Sequence, residues 1–330
     1  MTDFGAKVPS VRNFRVAVLE LEGASKASIL GLSEMWAFAN EMNSERSVGH
    51  IVQENICPAE FGAWLSPFDA LVVPPMISRG AASGDEERIL QFLRSQKDAG
   101  TIICSACGGA MVLGAAGLLD GRKATTHWSL SDEISRKFPK AEFDLSRILV
   151  DDGDLITAGG VMAWTQLGLR LVERFLGADI MLATAKFMLI DPADRSQSYY
   201  ASFTPILSHG DPAIVAVQHA LHQDLWKSAT LDDLMKLARM SKRTFLRRFV
   251  RATGMTPLEY CQRIRIERSR ELLESTAASI EQIAYQSGYE DQNSYRKIFK
   301  RELGVTPGEY RSRVALASIQ SAKTFHHDRS

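Results

Sequence analysis

Between Leu231 and Arg313 the chain says the same thing twice. Phe249, Arg251, Gly254, Thr256, Pro257, Glu259 and Tyr260 recur as Phe299, Arg301, Gly304, Thr306, Pro307, Glu309 and Tyr310, at a constant offset of 50 residues. Self-similarity at such a period means that one supersecondary unit is used twice. Gly254 and Gly304 stand where a helix stops, because glycine takes the left-handed conformation without a Cβ penalty. Thr256-Pro257 and Thr306-Pro307 then restart a helix, threonine as N-cap and proline at the first helical position, with Glu259 and Glu309 completing a capping box. Ser241 and Asp291 are N-cap residue types that open helices over 241–252 and 291–302. Phe245/Phe249 and Tyr295/Phe299 fall at i,i+4 and face inward. The opposite faces carry Lys242, Arg243, Arg247, Arg248 and Arg251 in one copy, and Arg296, Lys297, Lys300 and Arg301 in the other. Short helices precede both, Leu231–Ala238 and Ile280–Gln286. A short helix, a tight turn and a basic amphipathic helix read as a helix-turn-helix, here in duplicate.

Residues 213–313 resemble the DNA-binding domain of the AraC/XylS family of bacterial transcription regulators. The likeness is carried by Ser241-Lys-Arg-Thr-Phe-Leu-Arg-Arg-Phe, Gly254-Met-Thr-Pro-Leu-Glu-Tyr, Ile283-Ala284 with Gly288-Tyr289, and Phe299 through Gly304-Val-Thr-Pro to Tyr310-Arg311. Two positions depart from that pattern. Met235 stands where a small Ala is usual at the helix crossing, and Arg239 where the turn is often Gly. Both are expected to loosen the first unit. The resemblance implies double-stranded promoter DNA as partner, a homodimer, and RNA polymerase if the regulator activates. Arg243, Leu246 and Arg247 in the first copy, and Gln292, Asn293, Arg296 and Lys297 in the second, are the expected base readers. Lys242, Arg248, Arg251 and Lys300 complete the expected DNA-binding set. A helix over 257–274 is expected to hold the recognition helices about one DNA turn apart, ~34 Å.

Charge supports this division. Residues 213–330 hold 20 Lys+Arg against 13 Asp+Glu, a net +7, whereas residues 1–212 hold 19 against 26, a net −7. A basic half for nucleic acid and an acidic half kept off it is the natural reading. The 330 residues predict two domains. The opening residues lack the apolar core of a signal peptide, and no apolar run reaches membrane-spanning length. Four cysteines are no disulfide framework in a chain of this size, so a reducing cytoplasm is expected. His326-His327 lacks partners at ligand spacing, so no metal site and no cofactor are expected.

The front half alternates strands and helices. Phe14–Leu19, Ala70–Val73 and Thr101–Cys104 read as strands, while 28–42, 85–99, 107–116, 161–176 and 178–190 read as helices. This pattern predicts a doubly wound, flavodoxin-like parallel sheet covered on both faces. The expected organisation is a tail over 1–13, an α/β sensor and dimerisation domain over 14–190 and a linker over 191–210. An all-α DNA-binding domain over 211–315, with two helix-turn-helix units, and a tail over 316–330 follow.

Ser105-Ala-Cys107-Gly-Gly-Ala, Ala115-Ala-Gly-Leu-Leu-Asp-Gly-Arg122 and Thr125-Thr-His127-Trp128 are similar to the class I glutamine-amidotransferase-like domain, in the version that precedes AraC-type domains. Gly31-Leu-Ser-Glu34 and Asp151-Asp-Gly fit the same domain, so the likeness covers 14–190. It places Cys107 on the strand-to-helix elbow and His127 on the family histidine. An amidotransferase triad needs a late His-x-Glu, which does not occur in this chain. Ser28 replaces the acidic residue that many catalytic relatives keep. A thiol without a base or acid partner lacks activation. Three readings of the elbow stay open: a ligand-binding remnant, an inert structural turn, and an amidotransferase-superfamily enzyme, a hydrolase or hydratase using Cys107 with a DNA-targeting domain. The first is preferred, with Ser28, Pro75, Cys107, Gly108 and His127 as effector contacts. By resemblance the effector is a small nitrogenous metabolite such as an amino acid or quaternary amine. Only about 25 residues separate the first helix from the Ala70 strand, so the domain is expected to be trimmed there.

Overall fold

The computed structural model describes residues 12–44, 49–63, 66–78, 85–192, 197–200, 203, 205, 207, 209–227 and 229–313. Both terminal tails, His326-His327 included, lie outside the described residues. The chain divides into two compact units, Met1–Gln197 and Ser198–Ser330.

In the first unit β1 (Asn13–Leu19), α1 (Lys26–Asn43), β2 (His50–Ile56), β3 (Ala70–Val73), α2 (Glu86–Asp98), β4 (Ile102–Ala106) and α3 (Gly109–Ala115) alternate in order. Then come β5 (Lys123–Ala124), α4 (Ser131–Lys137), β6 (Glu142–Phe143), β7 (Leu149–Asp151), β8 (Leu155–Ala158), α5 (Trp164–Leu176) and α6 (Ala178–Phe187). The main sheet has the order β2-β1-β3-β4-β8-β7, and β5 and β6 form a separate two-stranded ribbon. Alternation along the strands builds two cores. Val16, Val18, Val72, Cys104 and Ile156 face Trp36, Leu167 and Leu171. Ala17, Leu71, Val73, Ile103 and Leu155 face Leu93, Leu113 and Phe92 on the other side.

The flavodoxin-like expectation holds, with two differences. The sheet is mixed, because β7 runs antiparallel to β8 at one edge. The stretch before Ala70 supplies β2, which pairs along the whole of β1 as the opposite edge strand.

The second unit is helical: α7 (Pro212–Ala220), continued by a wide turn over Leu221–Leu225, then α8 (Leu231–Ala238), α9 (Lys242–Thr253), α10 (Pro257–Ser275), α11 (Ile280–Gln286) and α12 (Gln292–Leu303). A last helical stretch covers 307–313. Gly254 and Gly304 are left-handed C-caps at φ 72° and 74°. The Thr256/Glu259 box closes reciprocally, the Thr256 amide donating to Glu259 Oε2 at 2.8 Å and the Glu259 amide to Thr256 Oγ1 at 3.3 Å. Thr306 and Glu309 repeat this at 2.7 and 3.3 Å. Ser241 sits at the N-cap but does not cap, since its hydroxyl bonds Thr244 Oγ1.

Each copy buries an edge-to-face ring pair, Phe249–Tyr260 at 5.4 Å and Phe299–Tyr310 at 5.7 Å. Emptying either phenylalanine would cost about 3–5 kcal/mol. α10 serves both copies, giving Cys261 and Ile264 to the first core and Ile266 and Leu273 to the second. Its 19 residues span ~28 Å. Arg239 takes the left-handed conformation at φ 53°, which explains the family preference for Gly there. A side chain in that region costs about 1–2 kcal/mol. Met235 is accommodated, half-buried against the first core.

Candidate nucleic-acid interface and ligand site

On α9 the side chains of Lys242, Arg243, Arg247 and Arg251 are exposed and make no ion pair among the described residues. Burying Phe245 and Phe249 at i,i+4 leaves these cations on the opposite face. On α12 the same logic, set by Tyr295 and Phe299, exposes Asn293, Arg296, Lys297 and Lys300. Gln292 is half-buried at the helix start, where Asp291 caps the amides of Asn293 and Ser294 at 3.3 and 2.7 Å. Leu246 is half-buried against the first core.

Arg248 departs from the expected set. Its guanidinium is held in two hydrogen bonds to Asp211, so it braces α9 to the start of α7. Arg301 is likewise engaged, with Gln262 at 3.0 Å and Glu302 at 2.7 Å. Eight cations or amides thus remain presented to a partner: Lys242, Arg243, Arg247 and Arg251, and Asn293, Arg296, Lys297 and Lys300. Guanidinium suits the O6/N7 edge of guanine, and a side-chain amide suits adenine.

In the first unit β4 runs into Cys107, whose φ of 52° makes the sharp elbow before α3. The Cys107 amide donates to the Ala158 carbonyl at 2.8 Å, and its own carbonyl accepts the Thr126 hydroxyl at 2.6 Å. Burial pushes the thiol pKa up, with a smaller opposite pull from the Gly108 amide. His127 uses Nδ1 to accept the Ser129 amide at 3.2 Å and faces the Ser129 hydroxyl at 2.7 Å. Burial lowers its pKa, which leaves a neutral ring at pH 7 with Nε2 as the protonated nitrogen. No described side chain hydrogen-bonds the Cys107 thiol. The elbow has the shape of a nucleophile turn, with its thiol held in the protonated direction by burial.

The sheet order creates a crevice beside this elbow. The chain passes from β1 outward to β2, then crosses back to β3, so the switch point lies between β1 and β3, where ligands of open α/β sheets bind. A cavity of about 800 Å³ opens there, walled by Leu21 and Glu22 after β1, by Met76 and Ile77 after β3, and by Met111, Lys137 and Phe138. Glu86 and Glu133 add carboxylates, and Lys137 pairs with Glu133 at 2.9 Å.

Of the five expected effector contacts, only Gly108 lines this cavity. Ser28 is fully buried, its hydroxyl donating to the Ser25 carbonyl at 2.7 Å, and it does not line this cavity. Pro75 is also buried, with its carbonyl held by the Ser25 amide. Glu22, Met76, Met111 and Phe138 were not legible as site residues. Their signal is positional: two follow directly on strands that flank the switch point. A second cavity, of about 780 Å³, lies beside edge strand β7 and contains Asp151, which Arg170 and Arg174 clamp. Among the described residues no His, Cys, Asp and Glu cluster could hold a metal, and no helix is long and apolar enough to cross a membrane.

Comparison with known proteins joins these two halves. Residues 54–174 match the DJ-1/PfpI family, and residues 234–313 match a helix-turn-helix domain. The chain carries a DJ-1/PfpI domain ahead of an AraC-type helix-turn-helix domain. It is 29% identical to the HTH-type transcriptional regulator GlxA of Rhizobium meliloti, over 67% of this chain and 68% of that protein. It is 33% identical to the isonitrile hydratase of Pseudomonas putida, over 39% of this chain and 60% of the enzyme. A crystal structure of an AraC family transcriptional regulator from Pseudomonas putida aligns at TM-score 0.46 and 20% identity, over 53% of this chain and 99% of that one. The aligned segments span between 60% and 68% of the length of the matched regulators GlxA and GbdR.

Proposed function

We propose that this chain is a sequence-specific DNA-binding transcription regulator whose first unit senses a small metabolite. The observation that carries the reading is the duplicated helix-turn-helix, each copy of which presents unpaired cations on the face opposite its buried aromatic pair. Similarity to the HTH-type transcriptional regulators GlxA and GbdR supports it. The effector is assigned to the switch-point cavity. Three carboxylates, Glu22, Glu86 and Glu133, against the single ammonium of Lys137, with methionine and phenylalanine walls, favour a small ligand that joins a cationic group to an apolar body, such as an amino acid or quaternary amine. Exposed Leu30 on α1 and Leu182 and Phe187 on α6 support self-association of the sensor unit as a homodimer. RNA polymerase is a partner if the regulator activates, and the setting is the cytoplasm.

The elbow argues against catalysis, because its thiol is buried with a raised pKa and no described side chain hydrogen-bonds it. The hydratase likeness keeps an enzymatic reading using Cys107 testable. Selecting DNA from a random-sequence pool and footprinting the recovered site tests the regulator reading. Protein that recovers no enriched sequence, or a Cys107→Ala protein that loses a measurable hydratase activity, would reverse the assignment.

A further inference from the structure

Within the helical unit, α10 passes from one helix-turn-helix core to the other across a single residue. Ile264 is buried in the first core and Ile266 in the second. Arg265 lies between them, half-buried. Its Nε donates to the Trp226 carbonyl and its Nη2 to the Lys227 carbonyl, both at 2.9 Å. Trp226 belongs to the first core and is the C-cap of the wide turn that continues α7. Carbonyls at such an end have no donors from their own helix. Arg265 supplies those donors from a different helix, and its positive charge suits the negative end of the helix dipole.

The same guanidinium meets the second copy of the repeat. It lies 5.8 Å from the centre of the Tyr289 ring, which is buried in the second core. Gly288, left-handed at φ 78°, comes so close that an added Cβ would fall 3.2 Å from Arg265 Nε and 3.3 Å from the Lys227 carbonyl oxygen. α11 ends there, the Gly288 and Tyr289 amides donating to the Tyr285 and Ala284 carbonyls at 3.0 Å each. Two helix ends, one from each core, therefore converge on one side chain. Apolar burial along α10 holds the cores together, but it is non-directional and tolerates rocking. A planar fork on two carbonyls fixes direction as well.

We propose that Arg265 is a positioning residue that sets the angle between the recognition helices α9 and α12, and with it the half-site spacing this protein accepts on DNA. Arg265 acts through the two helix ends it joins, not by reading bases. Moving one half-site by a single base pair shifts it by about 3.4 Å and turns it by about 35°. A clamped pair of helices cannot follow that change, whereas an unclamped pair can tilt to meet it. The inference rests on the regulator reading above.

The test uses the full chain and a DNA site that the wild-type protein selects from a random-sequence pool, with its two half-sites mapped by footprinting. Dissociation constants are measured on that site, on sites with one base pair added or removed between the halves, and on DNA carrying one half-site alone. Wild type is expected to lose about tenfold in affinity on each respaced site, within the range that one misread base pair costs. Arg265→Met keeps the stem and removes every donor, and its loss is expected to be about threefold or less, below that range. Both proteins should bind the single half-site equally. Arg265→Lys, which keeps the charge without the fork, should fall between them. Should Arg265→Met fail to fold, Arg265→Lys decides in its place. A folded variant with the wild-type spacing penalty, or one that weakens the single half-site as much as the full site, overturns the assignment, as does a wild-type protein indifferent to spacing. A wild-type chain that selects no site overturns the regulator reading itself.

Discussion

Arg248 grips Asp211 with both arms of its guanidinium, Nε to Oδ2 at 2.8 Å and Nη2 to Oδ1 at 2.7 Å. The same carboxylate caps α7 by accepting the Ile214 amide at 3.3 Å. Arg248 is thus a brace within the helical unit although it lies in the most basic stretch of the chain. Arg248→Ala is expected to lower the melting temperature while leaving the salt slope of DNA binding unchanged. A slope reduced by about one unit would instead mark Arg248 as a phosphate contact.

Arg247 and Lys300 are expected to behave differently from each other. Arg247→Ala should relax preference at one or two base pairs, at about 1–3 kcal/mol of lost discrimination. Lys300→Ala should weaken binding to all sequences alike and flatten the salt dependence. Binding-site selection with each variant, at two salt concentrations, separates the roles. Equal loss of cognate and random DNA by Arg247→Ala would refute base reading.

Acid should unfold the helical unit through its caps. Asp211 is held low chiefly by Arg248, Glu259 and Glu309 by the amides of Thr256 and Thr306, Asp233 by the Thr230 side chain, and Asp291 by Ser294. A depressed folded pKa stabilises fully above the unfolded value of about 4, and that contribution is lost as pH falls through the folded values. Circular dichroism during acid titration should therefore show stability falling below about pH 4. Glu259→Gln with Glu309→Gln should flatten the curve in that window, and an unchanged curve would contradict the assignment.

Cysteine reactivity tests the elbow. Burial raises the thiol pKa of both Cys104 and Cys107. In native protein at neutral pH both should alkylate slowly with iodoacetamide, and quickly once unfolded. Rapid native labelling of Cys107 would reveal an activated thiolate and revive the enzymatic reading.

Truncation tests two aromatic contacts within the helical unit. A fragment starting at Ser198 keeps Tyr199 and Phe203 on Tyr310 and Tyr260, whereas one starting at Ser208 loses both. The shorter fragment is expected to melt about 5 °C or more below the longer. Equal melting temperatures would show that these rings add nothing to the helical unit.

Much of this was legible because local rules and the global fold agree. The repeat with its Gly, Thr-Pro and Glu punctuation located α9 to α12 within a residue or two, since caps state boundaries that periodicity alone blurs. β2 escaped notice because Gln53, Glu54 and Asn55 break any alternation: an edge strand with one paired side tolerates polar residues that a central strand does not. β7 was missed because it has three residues. The family position of Ser28 says where the backbone goes, and only the side-chain bond to Ser25 says which way the hydroxyl turns. The bracing of Arg248 is hidden in the sequence for a similar reason. Charge sign is written in the sequence, but its partner Asp211 lies 37 residues away.

The head-to-tail order of the two copies has a consequence for the DNA. Two identical subunits related by a dyad read a palindrome, which looks the same from either direction. Here Arg243 and Arg247 come first, and Asn293, Arg296 and Lys297 come second, on a single strand of polypeptide. Read as proposed above, the stretch of DNA under one protomer carries an arrow, whatever dyad relates two protomers, and inverting it presents each half to the wrong helix.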